Sequence, residues 1–212
     1  MKLEHIDHSI VVVADRHNPS ILHPSFLENQ NIIEKGLALA EPALSSADIS
    51  IASFENGLRF SVDNTRLQIT NSKIEEGNVD ISKVASAYVK VLPHVGYKSV
   101  GCNLFSFIEI KDAEKFLIDK FIKQGPWNEG DILLKSAGIR FVYHKENSVI
   151  NLSYDAGIIL KNGEEARRGI LIRGNSHTEV SSSENTISEI NGFDSKINAV
   201  VKYISNTFGI NS

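Results

Sequence analysis

Hydrophobic and polar positions along this chain follow two alternating rhythms. A period of two marks strands, and recurrence every three or four residues marks amphipathic helices. Ile6 to Ala14 is a β-branched run too short for a helix and reads as a first strand. Ile49, Ile51 and Ser53 then alternate with other small or polar residues, and Asn56-Gly57 carries the signal of a two-residue hairpin turn. Leu58, Phe60 and Val62 return along the same apolar face, and Asp63-Asn64 turns the chain into Leu67 and Ile69. A helix follows, with Asp80 as cap, Ile81, Val84, Ala85, Tyr88 and Leu92 as its stripe, and Pro93 as its stop.

The order then recurs. Tyr97 to Ile110 reads as a strand, and Asp112 to Gln124 as a helix with Ala113, Phe116, Leu117 and Phe121 inward, stopped by Gly125-Pro126. A second meander is predicted over Ile139 to His144, Val149 to Ile159 and Gly169 to His177. The last helix takes Asp194 as cap, turns Ile197, Val200, Val201, Ile204 and Phe208 to one face, and closes at Gly209. Two stretches lack either rhythm. Residues 16–48 form a long loop holding Pro19, Pro24 and Pro42, with Ser25 to Ile33 as a short helix. Val180 to Gly192, rich in Ser, Asn and Glu, reads as a flexible surface loop.

This layout predicts an α+β fold, a largely antiparallel sheet with amphipathic helices on one face. It excludes a doubly wound nucleotide-binding fold, in which strand and helix alternate throughout. Residues 1–212 read as a single compact domain, with similarly laid-out halves over 1–95 and 96–212 that share order but not residue identity.

Composition changes the picture little. The 212 residues are 42% hydrophobic and 23% charged, as in an ordinary soluble globule. A formal charge of −4 gives no general attraction to nucleic acid or anionic membrane. The single cysteine, Cys102, excludes an internal disulfide framework and cysteine-rich zinc modules. Met1 to His8 carries acids and histidines where a signal peptide needs a clean apolar stretch, so the expected location is cytoplasmic.

Candidate chemistry begins at Ile10 to Asn18, where a core strand runs into Asp15, Arg16 and His17. A strand ending in D-x-H is similar to the first motif of calcineurin-like metallophosphoesterases. That resemblance implies a divalent metal held by Asp15 and His17, and hydrolysis of a phosphate ester. The accompanying motifs are missing: Gly130-Asp131 comes too late, Gly174-Asn175 is followed by Ser176 before His177, and no His-x-His occurs. His5, His8, His17 and His23, with Asp7 and Asp15, could also supply metal ligands. In an unbroken strand over 5–14, however, His5 and Asp7 face one side and His8 the other.

Arg140, Arg167, Arg168 and Arg173 lie on or beside the second meander with His144 and His177. Arg140, Arg173 and His177 could form an anion pocket if strand register brings their faces together; ion pairs with Glu146, Glu164 and Glu165 are the plainer reading. Asn18-Pro19-Ser20-Ile21 and His23-Pro24-Ser25-Phe26 echo each other, so Ile21 and Phe26 either pin the loop to the core or present it to a protein partner. Trp127 is a further anchor for a partner or a plug for the core. Cys102 would need His94 or His144 beside it to be a nucleophile; otherwise it is a buried structural thiol. With no complete catalytic constellation, the chain is expected to be a binding protein without enzymatic activity. It would act through a protein partner or a second copy, over residues 17–45 and 180–192, with no cofactor. A metal-dependent phosphoesterase and a sensor of small anions or nucleotides are the alternatives.

Overall fold

The computed structural model describes residues 1–77, 79–129, 131, 133–160 and 166–210. Among them nine strands join in one antiparallel sheet: β1 (Glu4–Ala14), β2 (Leu44–Ser45), β3 (Ile49–Ser53), β4 (Leu58–Asp63), β5 (Arg66–Asn71), β6 (Tyr97–Glu109), β7 (Ile139–Lys145), β8 (Ser148–Ile159) and β9 (Arg167–Glu179). Their spatial order is β2-β3-β4-β5-β1-β6-β9-β8-β7. It reads the same way outward from the central β1–β6 pair, with β5, β4 and β3 beside β1 as β9, β8 and β7 are beside β6. Five helices accompany the sheet: α1 (Pro24–Asn29), α2 (Ile81–Val91), α3 (Ala113–Phe121), α4 (Ser183–Asn191) and α5 (Phe193–Phe208). The fold is α+β. No helix among the described residues is long and apolar enough to cross a membrane.

Strand alternation decides where the core lies. On β6, Val100, Cys102, Leu104 and Ile108 are buried in the main apolar cluster, while Gly101, Asn103 and Phe105 turn the other way. Ile10 and Val12, Phe60 and Val62, Leu67 and Ile69, Leu152 and Tyr154, and Ile170 and Ile172 join the same cluster from the other strands. Helix α2 covers β1 and β5, α3 covers β8 and β9, and α4 and α5 cover β6. They contribute Tyr88, Val89, Leu117, Ile190, Ile197, Val200 and Ile204. Gly174 of β9 lies directly beneath Val200, and a Cβ there would collide with the Val200 side chain. The opposite sheet face carries no helix among the described residues.

Several local readings need correction. Gly57, at φ +86°, follows a turn closed by the Gly57 N–H to the Phe54 carbonyl, and the Phe54 N–H bonds the Leu58 carbonyl. The hairpin therefore has a three-residue loop with a left-handed glycine, not the two-residue turn expected. The register of β1 against β6 shifts between His5 and Asp7. This bulge inverts the parity, so His5 and His8 share the helix-covered face and Asp7 takes the open one. Val180 to Gly192 is not a loop: Ser183–Asn191 is α4, the Ser182 hydroxyl accepts from the Asn185 N–H, and Thr186 and Ile190 are buried. Asp194 lies in the first turn of α5 without capping it, because the helix already starts at Phe193. Helix α1 stops at Asn29, well before Ile33, and Asn31 has φ +54°. Helix α3 ends at Phe121, not Gln124.

The excursion over 16–48 is also more ordered than a long loop. It holds a 3₁₀ turn at Pro19–Ile21, α1 and β2. Leu22, Leu27, Ile32 and Ile33 are buried in the core. Leu22 and Leu27 each fall three residues after a proline, so the proline echo sets two anchors into the core.

Candidate functional site

On the uncovered face, register assembles a row that no single segment reveals. Val142, Asn151, Asn175, Asn103, Ser9 and Thr70 are successive partners across β7, β8, β9, β6, β1 and β5. Asn175 Nδ2 donates to Asn103 Oδ1 at 2.7 Å, and Asn103 Nδ2 donates to Ser9 Oγ at 3.3 Å. At one end of the row a cation stands on the next amide: Arg140 Nη2 donates to Asn151 Oδ1 at 2.9 Å. In the neighbouring row Arg140 stands opposite Ser153, Ser153 opposite Arg173, Arg173 opposite Phe105, and Phe105 opposite Asp7. The two arginines that depended on register thus share one face and one row.

The twist of a sheet makes one diagonal of each face concave. Here the concave diagonal is a trough of about 640 Å³ lined by Asp7, Ser9, Arg66, Gln68, Asn103, Phe105, Arg140, Asn151, Arg173 and Asn175. Arg66 holds the end opposite Arg140, its Nη2 donating to Gln68 Oε1 at 2.9 Å. Gln68 in turn donates to Thr70 Oγ1 at 3.3 Å. Arg173 lies 5.3 Å from the Phe105 ring centroid and 3.6 Å from Asp155. That exposed pair offsets part of its charge. Arg66 and Arg140 make no ion pair within 4 Å among the described residues; Asp63 Oδ1 accepts from the N–H groups of Thr65 and Arg66, and its carboxylate also feels the Arg66 charge. Asp7 is half-buried on the trough floor with no hydrogen-bond or ion-pair partner among the described residues, and burial raises its carboxyl pKa.

No protein-family model matches this chain, and no curated protein is detectably similar to it.

The remaining candidates lie elsewhere. His177 is on the open face, four residues along β9 from Arg173 and opposite Gly101 and Val149, and it does not line the trough. Arg167 grips Glu4 through two hydrogen bonds of 2.8 and 2.9 Å and sits over the Phe107 ring, a clamp rather than a free cation. Glu164 and Glu165 lie outside the described residues. Asp15 and His17 diverge: Asp15 is exposed and pairs with Lys98 at 3.1 Å, whereas His17 is 1% exposed and donates from Nε2 to the Val12 carbonyl at 3.2 Å. Burial lowers the His17 pKa against the opposing pull of that carbonyl and of Asp63.

His5 bonds Ser106 Oγ at 2.9 Å, and His8 meets the Phe193 ring edge-on at 5.8 Å. Burial, with the neighbouring His5, pushes the His8 pKa down to about 4. Among the described residues no group of three or more His, Cys, Asp and Glu is arranged to hold a metal ion. Cys102 is fully buried and its thiol is pushed up to about 11 by burial. Phe26 packs against the core, Ile21 is half-buried, and Trp127, 48% exposed, stacks above Gly125. The ladder itself escapes sequence reasoning. Asn103, Asn151 and Asn175 occupy ordinary polar phases of three strands, and only register makes them one line.

Proposed function

We propose that this is a non-enzymatic binding protein that holds an organic anion, a carboxylate or a phosphate ester, in the trough on the uncovered sheet face. The observation that carries this reading is the placement of Arg140 and Arg66 on that face, their guanidiniums hydrogen-bonded, among the described residues, only to the side-chain amides of Asn151 and Gln68. A guanidinium held by a neutral amide keeps most of its charge for a ligand, and its planar donors suit carboxylate and phosphate oxygens. The amide ladder adds donors and acceptors in one line, and among the described residues lining the trough Asp7 is the one carboxyl, with no second carboxyl or histidine beside it to form an acid–base pair. Specificity would come from the ladder and attraction from the arginines.

A thermal-shift panel of carboxylates and phosphate esters tests the reading. A ligand at about a hundred times its Kd stabilises the folded state by roughly 2.7 kcal/mol, a Tm rise of about 5–10 °C for a chain of this size. Arg140→Gln and Arg66→Gln together should abolish the rise. A panel without any stabilising anion, or a rise that survives both substitutions, contradicts the reading.

A further inference from the structure

We propose that the ligand of this trough is elongated, with an anionic group at each end and a neutral, hydrogen-bond-donating middle. The inference rests on the reading of the trough as an anion site and adds the shape and charge pattern of what it takes. A site for one small anion needs one cluster of cations, but here the two trough guanidiniums that make no ion pair among the described residues stand at opposite ends. Arg140 leans onto Asn151 of β8, whereas Arg66 lies against Gln68 of β5. Strands β9, β6 and β1 separate those two positions. Four interstrand steps of about 4.8 Å give roughly 19 Å along the sheet. A single carboxylate or phosphate cannot touch both.

What lies between the ends specifies the middle. Asn175, Asn103 and Ser9 form a hydrogen-bonded line that offers neutral donors and acceptors. Among the described residues Arg173 is the only other guanidinium lining the trough, and Asp155 pairs with it. Asp7 places an unpaired, half-buried carboxyl on the floor, opposite Phe105. That group accepts from an N–H or O–H of a ligand and repels a negative charge carried there. A polymer with an anion on every unit, such as nucleic acid or polyphosphate, would set negative charge against Asp7. A molecule with charged tips and an amide or hydroxyl centre would not.

Calorimetric titration with succinyl-(Gly)n, a dicarboxylate whose amide spacer lengthens by about 3.5 Å per glycine, measures this directly. Inorganic phosphate and oligothymidylate serve as a compact anion and a uniformly charged chain. Once the spacer reaches about four glycines both carboxylates can engage, and the affinity should rise at least about tenfold over the shortest member. Arg66→Gln should flatten this length dependence while leaving the short probe bound at Arg140. Asp7→Asn should weaken the long probe and strengthen oligothymidylate.

Equal affinity at all lengths, with phosphate or the short probe still bound, overturns the two-ended ligand and leaves the anion site standing. Tighter binding of oligothymidylate than of the longest glycyl probe overturns the neutral middle. Failure of every anion to bind overturns both readings. Arg66 is exposed and Asp7 is half-buried, and the unchanged Tm of each variant should show that a loss of binding is not a loss of fold.

Discussion

Asn103 and Leu104 are neighbours on β6 that point to opposite faces, so replacing each by alanine tests whether one face is covered and the other open. Leu104 is 2% exposed beneath the helices. Its truncation removes buried methyl groups and leaves a cavity, which costs about 3–4 kcal/mol. Asn103 accepts one short bond from Asn175, at 2.7 Å, and donates longer ones to Ser9 at 3.3 and 3.4 Å. It is half-buried at the wall of an open trough, where Asn175 and Ser9 can turn to water once it is gone. The loss is then the net value of one good hydrogen bond, about 1 kcal/mol. In Tm this separates a fall of about 3 °C for Asn103→Ala from one of roughly 10 °C for Leu104→Ala. Urea unfolding at constant m value is the assay. A cost of about 3 kcal/mol or more for Asn103→Ala would mean that the ladder is a buried network, and the account of the open face would fail.

Three further outcomes follow from the packing. Gly174→Ala should cost about 1–3 kcal/mol by overpacking against Val200, and Val200→Ala in the same chain should recover part of it; additive losses would contradict that contact. His8, with a folded pKa near 4 against 6.5 for the ordinary group, is neutral in both states above pH 6.5. Its unfolded form binds the extra proton as the pH falls, so stability should drop between pH 6.5 and about 4, and His8→Gln should make that part of the profile shallower. Asp7, raised by burial, works the other way, favouring the folded state at low pH, so the slope must be read as the difference from the wild type. Cys102 should resist a thiol reagent in the native protein and react fully in urea, and rapid native labelling would refute its burial under α4 and α5.

Much of the fold was legible because alternation survives tertiary context wherever one face is buried. Leu58, Phe60 and Val62 on β4, and Ile81, Ala85 and Tyr88 on α2, lie inward as their spacing requires. The errors have separate physical causes. Asn56-Gly57 suits a two-residue turn, but a glycine one place later in the loop serves a three-residue turn equally well. Helix α4 hides in a polar segment because its buried face is small, with a threonine and an isoleucine four residues apart supplying it. The bulge between His5 and Asp7 reverses the parity of β1 without a local signal. The ladder depends on five pairings whose registers accumulate through loops of different length. Each asparagine was visible as a polar strand residue; their alignment was not.

The most direct test of the trough is a chemical-shift titration of isotope-labelled protein with the succinyl-glycyl dicarboxylate. Perturbations should gather at the side-chain amides of Asn103, Asn151 and Asn175 and at the guanidinium groups of Arg66 and Arg140. Helices α2, α4 and α5, on the far side of the sheet, should stay unmoved. Perturbations confined to the helical layer or to residues 17–45, or none at saturating probe, would contradict this reading of the trough.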